Sequence, residues 1–149
     1  MNFPFDENCI IESGKKPVFV LSENHRVYRA ENPNRKEASS FQIDGAMIKE
    51  ETVKCDKGLL VEDGKFFLVE LKGVDVEHAC RQLLATYEYM HKLYNDYDYY
   101  CRAIVSAMPS KKAAPKLLGA AYRKLQKKLS ATDKNRKIVF KSIRLDEII

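Results

Sequence analysis

The sequence predicts an α/β fold built on a mixed β-sheet, and three observations carry that expectation. Two β-rich runs, 53–61 and 65–72, flank Glu62-Asp63-Gly64, the pattern of a β-hairpin. Val76, Cys80, Leu83, Leu84, Tyr87, His91 and Tyr94 then recur as one apolar stripe, the mark of an amphipathic helix. A further apolar run at 99–107, centred on Ile104 and Val105, follows that helix. A helix joining two strands is a crossover, and crossovers make α/β sheets.

Each element follows from its residues. Pro17-Val18-Phe19-Val20-Leu21 is a short β-rich run, Ser22-Glu23-Asn24 a turn, and 25–29 a second short run. Residues 31–40, with Asn32-Pro33-Asn34, read as a loop, and 40–44 as a weak strand. In the hairpin, Leu59, Leu60 and Val61, then Phe66, Phe67, Leu68 and Val69, are apolar on both faces. Such strands lie in the middle of a covered sheet. Gly73 ends the second run, Asp75 is placed to cap the helix, and the helix runs to about Asn95. Pro109-Ser110 ends the strand at 99–107. A basic helix reaches about Leu129, with Ala114, Leu117, Leu118, Ala121, Leu125 and Leu129 on its inner face. A last strand is expected at 137–143. One domain is expected over 1–149, a length that buries roughly 70% of the unfolded surface.

Composition narrows the class. The 149 residues are 45% hydrophobic and 32% charged, with net charge +5. Residues 109–149 hold twelve Lys or Arg against three Asp or Glu, net +9, leaving −4 for the rest. An acidic body joined to a basic region suits contact with a phosphate backbone, although a solvated helix face explains charge asymmetry equally well. There is no stretch of eighteen apolar residues for a membrane span, and the first residues lack a signal-peptide pattern. A cytoplasmic location is therefore expected. Cys9, Cys55, Cys80 and Cys101 have neither metal-ligand spacing nor a flanking histidine pair, so free buried thiols are expected. No glycine-rich phosphate loop and no serine-histidine-aspartate arrangement is present.

Three charged residues stand in the apolar hairpin: Asp56, Glu70 and Lys72. Burying a charge is costly without compensation, and either a cation between the carboxylates or an ion pair to Lys72 would supply it. Side chains alternate along a strand, so Glu70 and Lys72 share a face. A two-residue loop at Asp63-Gly64 would set Asp56 opposite Leu71, on the wrong face. A three-residue loop, Glu62-Asp63-Gly64 with Gly64 left-handed, sets Asp56 opposite Glu70. The second register is expected, because an aspartate buried on the other face has no evident partner.

Lys54-Cys55-Asp56, a thirteen-residue gap, and Val69-Glu70-Leu71-Lys72-Gly73 followed by a helix resemble the core of the PD-(D/E)XK nuclease superfamily. The likeness covers about 53–95 and the order of elements to Ile143. It implies a restriction-endonuclease-like sandwich, a central mixed sheet with helices on its faces, and a small stand-alone, resolvase-like member that acts as a homodimer. It further implies a magnesium-dependent endonuclease rather than an exonuclease, cutting DNA, with manganese as a substitute ion. Asp56 and Glu70 would bind one or two ions with the carbonyl of Leu71. Lys72 would position a water whose pKa the metal lowers, and would stabilise charge on the phosphate. Cys55 stands where the family usually has proline.

Some family members carry a glutamine on the following helix, about where Gln82 falls. Gln82 lies roughly 150° from the centre of the apolar stripe, so it either lines the site with His78 or faces solvent. Glu37 and Glu12 are the only guesses for the extra glutamate that many members carry on an opening helix. Lys116, Arg123, Lys124 and Lys127 are the candidate phosphate contacts. His91 is expected in the core or at its boundary. The cluster Tyr87, Tyr89, Tyr94, Tyr97, Tyr99 and Tyr100 reads mainly as packing, with base stacking as the alternative. The competing function is a nuclease-fold module without turnover that binds nucleic acid or a protein.

Overall fold

The computed structural model describes residues 6–45, 54–71, 75–106, 108 and 119–149. Strand β1 (Ile10–Gly14) follows one short 3-10 turn. Strands β2 (Val18–Glu23), β3 (Arg26–Glu31), β4 (Ala38–Gln42), β5 (Lys57–Val61) and β6 (Lys65–Glu70) come next. Helix α1 (Val76–Leu93), β7 (Asp98–Val105), α2 (Gly119–Ser130), β8 (Val139–Ser142) and β9 (Arg144–Ile148) complete the chain. Six strands form one mixed sheet in the order β1-β4-β5-β6-β7-β8. Its left half is antiparallel, and β6, β7 and β8 run parallel. The strands β2, β3 and β9 form a second, three-stranded sheet.

The α/β class and the mixed sheet follow the sequence, and the two-faced apolar strands β5 and β6 do take the central positions. One expectation needs correcting: helices do not cover both faces among the described residues. Leu60, Phe66, Leu68, Cys101 and Ala103 pack with Leu83, Tyr87, Met90, Leu125 and Leu129 of the helices. On the other face Leu59, Val61, Phe67, Val69 and Ile104 pack with Phe19, Leu21, Tyr28, Ala30 and Leu145 of the small sheet. The reason lies in period-two patterning. In β2, Phe19 and Leu21 are buried while Val20 is exposed, so this strand suits a sheet with one wet face.

Boundaries shift at several places. The predicted loop at 31–40 ends in β4, and β1 was not foreseen because it is short and largely polar. Strand β5 starts at Lys57, so Asp56 precedes the strand instead of sitting inside it. The last strand is two, broken at Ile143. That residue has φ +67 and is 61% exposed. For a β-branched side chain the left-handed region costs on the order of 1–2 kcal/mol.

Helix α1 begins as expected: the Asp75 carboxylate accepts from His78 N at 2.7 Å, satisfying an orphan amide of the first turn. Leu125 and Leu129 are buried on α2, whereas Ala114, Leu117, Leu118 and Lys116 lie outside the described residues. Gly119, at φ +72, starts α2 against Glu77 of α1, where a Cβ would come within 3.1 Å. His91 departs from expectation, being exposed, although its ring stacks on Tyr87 at 5.2 Å. Tyr87 and Tyr99 are buried and in edge contact at 5.5 Å, so packing accounts for the centre of the tyrosine cluster.

All four cysteines are free and buried. Burial pushes the thiols of Cys80 and Cys101 up to about 12, against an ordinary 9.0. In the unfolded chain they ionise first, so stability that is whole below about pH 9 is lost as pH rises towards about 12. The thermal midpoint is therefore expected to fall steadily between those values. A flat profile there would contradict the burial of these groups.

Candidate functional site

The hairpin sets the geometry. Gly64 has φ +92, and its N–H donates to Val61 O at 2.9 Å. That closes the three-residue loop in the way a left-handed glycine permits. The strands then pair Leu60 with Phe66, Leu59 with Phe67, Gly58 with Leu68 and Lys57 with Val69. Continuing the register by one step sets Asp56 opposite Glu70. Each is only 1% exposed. Cross-strand neighbours have Cβ atoms about 4.5–5.5 Å apart, a spacing at which two carboxylates can share one cation.

Asp56 is held from several sides. Its carbonyl accepts from the amides of Ile43 and Asp44 at 3.0 and 3.2 Å. Its Oδ2 accepts from Leu71 N at 2.6 Å. The preceding amide, Cys55 N, donates to Thr86 Oγ1 of α1 at 2.7 Å, and Thr86 Oγ1 donates to Gln82 O at 2.9 Å. A fully buried threonine thus ties the helix to the segment that carries Asp56. Burial raises the Cys55 thiol well above its ordinary range, and the charge of Glu70 raises it further. That thiol stays protonated and is no nucleophile.

Other sequence candidates fall out differently. Lys72 lies outside the described residues. Leu71 is where it was expected, but its carbonyl accepts from Arg26 Nη1 at 2.7 Å. A guanidinium on that oxygen opposes its use as a ligand for a second cation. Gln82 does not face open solvent: it is half-buried, its Nε2 lies 3.1 Å from His78 Nε2, and its Oε1 is buried without a hydrogen-bond partner. Glu37 is at the wrong end of the sheet, since its carbonyl takes the Glu62 amide at the hairpin loop. From there to Asp56 is roughly 20 Å of chain at strand spacing. Glu12 is on the outermost strand and pairs with Lys16 at 2.6 Å. Neither glutamate joins Asp56 and Glu70.

On α2, Arg123 and Lys127 are exposed. Lys124 is exposed too, but it pairs with Glu88 of α1 at 3.2 Å, which reduces its charge available to a ligand. Sequence reasoning missed Arg26, Thr86 and the pair Lys57–Glu23, whose charged atoms lie 3.9 Å apart. No local pattern signals Arg26, Thr86 or Glu23, because each comes from an element distant in sequence from Asp56 and Glu70.

Among the described residues no group of three or more His, Cys, Asp or Glu side chains could hold a metal. Two buried, adjacent carboxylates nevertheless fit magnesium, which is typically bound through one or two carboxylates, with water and substrate phosphate completing the shell. No helix among the described residues is long and apolar enough to cross a membrane. No protein-family model matches the chain, and no curated protein or solved structure matches it.

Proposed function

We propose that this chain is a magnesium-dependent nuclease with a PD-(D/E)XK centre, hydrolysing phosphodiester bonds in DNA. The reading rests on Asp56 and Glu70, both buried, and on the β5–β6 register, which pairs Lys57 with Val69 and, carried one residue further, sets Asp56 opposite Glu70. Like charges buried side by side are unfavourable, and a divalent cation between them removes the conflict.

Asp56 and Glu70 would hold the ion, and Leu71, with its carbonyl on Arg26, is left out of the ligand set. The ion, when bound, supplies Lewis acidity to a phosphate oxygen and acidity to a water. The chain's own groups do the rest. The Leu71 amide and the Thr86 hydroxyl fix the direction of Asp56. Lys72, two residues after Glu70 in the sequence, would neutralise charge that develops on the phosphate. Exposed Arg123 and Lys127 on α2 offer phosphate contacts away from the cut.

Purified protein is expected to cut plasmid and linear duplex DNA with magnesium or manganese, and to stop when EDTA is added. Lys72→Ala is expected to slow cleavage on the order of a hundredfold, while magnesium still raises the thermal midpoint, because lysine is no ligand. Cleavage by Lys72→Ala at the parent rate would remove this centre. The engaged Leu71 carbonyl favours a second reading, a nuclease-fold module that binds nucleic acid without turnover. DNA binding with no cleavage in either metal would establish that alternative.

A further inference from the structure

Ile143 breaks two rules at once. Its backbone sits in the left-handed region at φ +67, and its apolar side chain is 61% exposed. Glycine or asparagine would meet the same turn without strain, and an exposed isoleucine gains nothing from burial. Residues held in such strained conformations cluster at active sites and ligand clamps.

Its placement says what it could serve. Ile143 N donates to Val105 O at 3.1 Å, and Val27 N donates to Ile143 O at 2.9 Å. The residue is therefore pinned between the two sheets. Arg26, beside Val27, donates to Leu71 O, so a short run of contacts joins Ile143 to the residue after Glu70. Glu70 pairs with Ala103, and Ala103 with Phe140. Ile143 is thus two strands across and three residues beyond Glu70, roughly 14 Å by standard strand spacings. That separation is about four base steps of 3.4 Å each. The surroundings are basic. His25, Lys141 and Arg144 are exposed, Arg144 pairs with Asp146, and Lys141 has no acidic partner among the described residues.

We infer that Ile143 is an apolar wedge that enters between two bases of the bound nucleic acid, a few nucleotides from the cut phosphate. Isoleucine is among the side chains that partly unstack base steps in this way, and a basic rim holds the flanking phosphates. The inference rests on the nucleic-acid part of the proposed function and is independent of its metal chemistry.

The test uses the full chain and a duplex with 2-aminopurine beside a mispaired step, with calcium in place of magnesium. The parent is expected to raise 2-aminopurine fluorescence as the base unstacks. Ile143→Gly is expected to abolish that rise and weaken binding about tenfold. Its thermal midpoint should stay the same or increase, since glycine relieves the strain. Ile143→Leu is expected to keep the fluorescence rise. Three results would overturn the wedge: unstacking by Ile143→Gly equal to the parent, no unstacking by the parent, or conversion of a dimer to a monomer by Ile143→Gly in light scattering. The last would assign the side chain to a second copy of the chain. A parent that unstacks the base but never cleaves in magnesium would sink the nuclease reading alone. A parent that cleaves, with Ile143→Gly unstacking normally, would sink the wedge alone.

Discussion

Glu70→Gln is expected to reduce magnesium-dependent cleavage on the order of a thousandfold and to abolish the rise in thermal midpoint that magnesium gives the parent. The two effects share one cause. Glu70 and Asp56 are both buried at 1% exposure, one step beyond the Lys57–Val69 pair of the hairpin. A divalent cation that binds the folded chain and not the unfolded one stabilises it by mass action, about 2.7 kcal/mol at a hundred times its Kd. Glutamine keeps the shape but loses the charge, so both ion affinity and phosphate activation fall. Asp56→Asn should behave alike, since its amide oxygen can still accept from Leu71 N while the charge that holds the ion is gone. Measuring the midpoint across a magnesium titration separates this from simple misfolding. A Glu70→Gln protein that melts lower but responds to magnesium like the parent would show that Glu70 is structural.

What the sequence made legible was local. The register at Asp56 and Glu70 depends on a loop of three residues and one left-handed glycine, all within the hairpin itself. Helix α1 is legible for the same reason, with Asp75 capping it and a stripe of apolar residues facing the sheet. The three-stranded sheet was not legible, because β3 pairs with β9 from the far end of the chain. Nothing near Val27 announces that Arg144 will lie beside it. Arg26 and Thr86 were missed for that reason, although both bond to the backbone beside Asp56 or Glu70. The guesses Glu37 and Glu12 failed on a related point: a carboxylate's usefulness depends on which end of a strand it occupies, and pairing partners decide that.

Arg102 shows the largest stability effect to be expected outside the site, and it too connects distant segments. It is 8% exposed on β7, and its Nε donates to Glu147 Oε1 of β9 at 2.7 Å. Tyr28 of β3, fully buried, donates its hydroxyl to the same oxygen at 2.6 Å. The guanidinium also lies over the rings of Phe67 and Tyr100, at 5.5 and 5.7 Å. One ion pair thus pins the six-stranded sheet to the small one. Removing one partner of a buried pair leaves the other charge without compensation, which costs about 3 kcal/mol at the low end of the usual range. The low end applies because the Glu147 side chain keeps 20% exposure. For a domain of this size, Arg102→Met should then lower the midpoint by roughly 10 °C. The double variant Arg102→Met with Glu147→Gln should lose less than Arg102→Met alone, since no unpaired charge remains and the amide oxygen still accepts from the buried Tyr28 hydroxyl. A double variant at least as unstable as the single one would mean that the pair itself contributes net stability. In that case the junction of the two sheets would depend on charge more than on the apolar layer of Phe67, Tyr28 and Leu145.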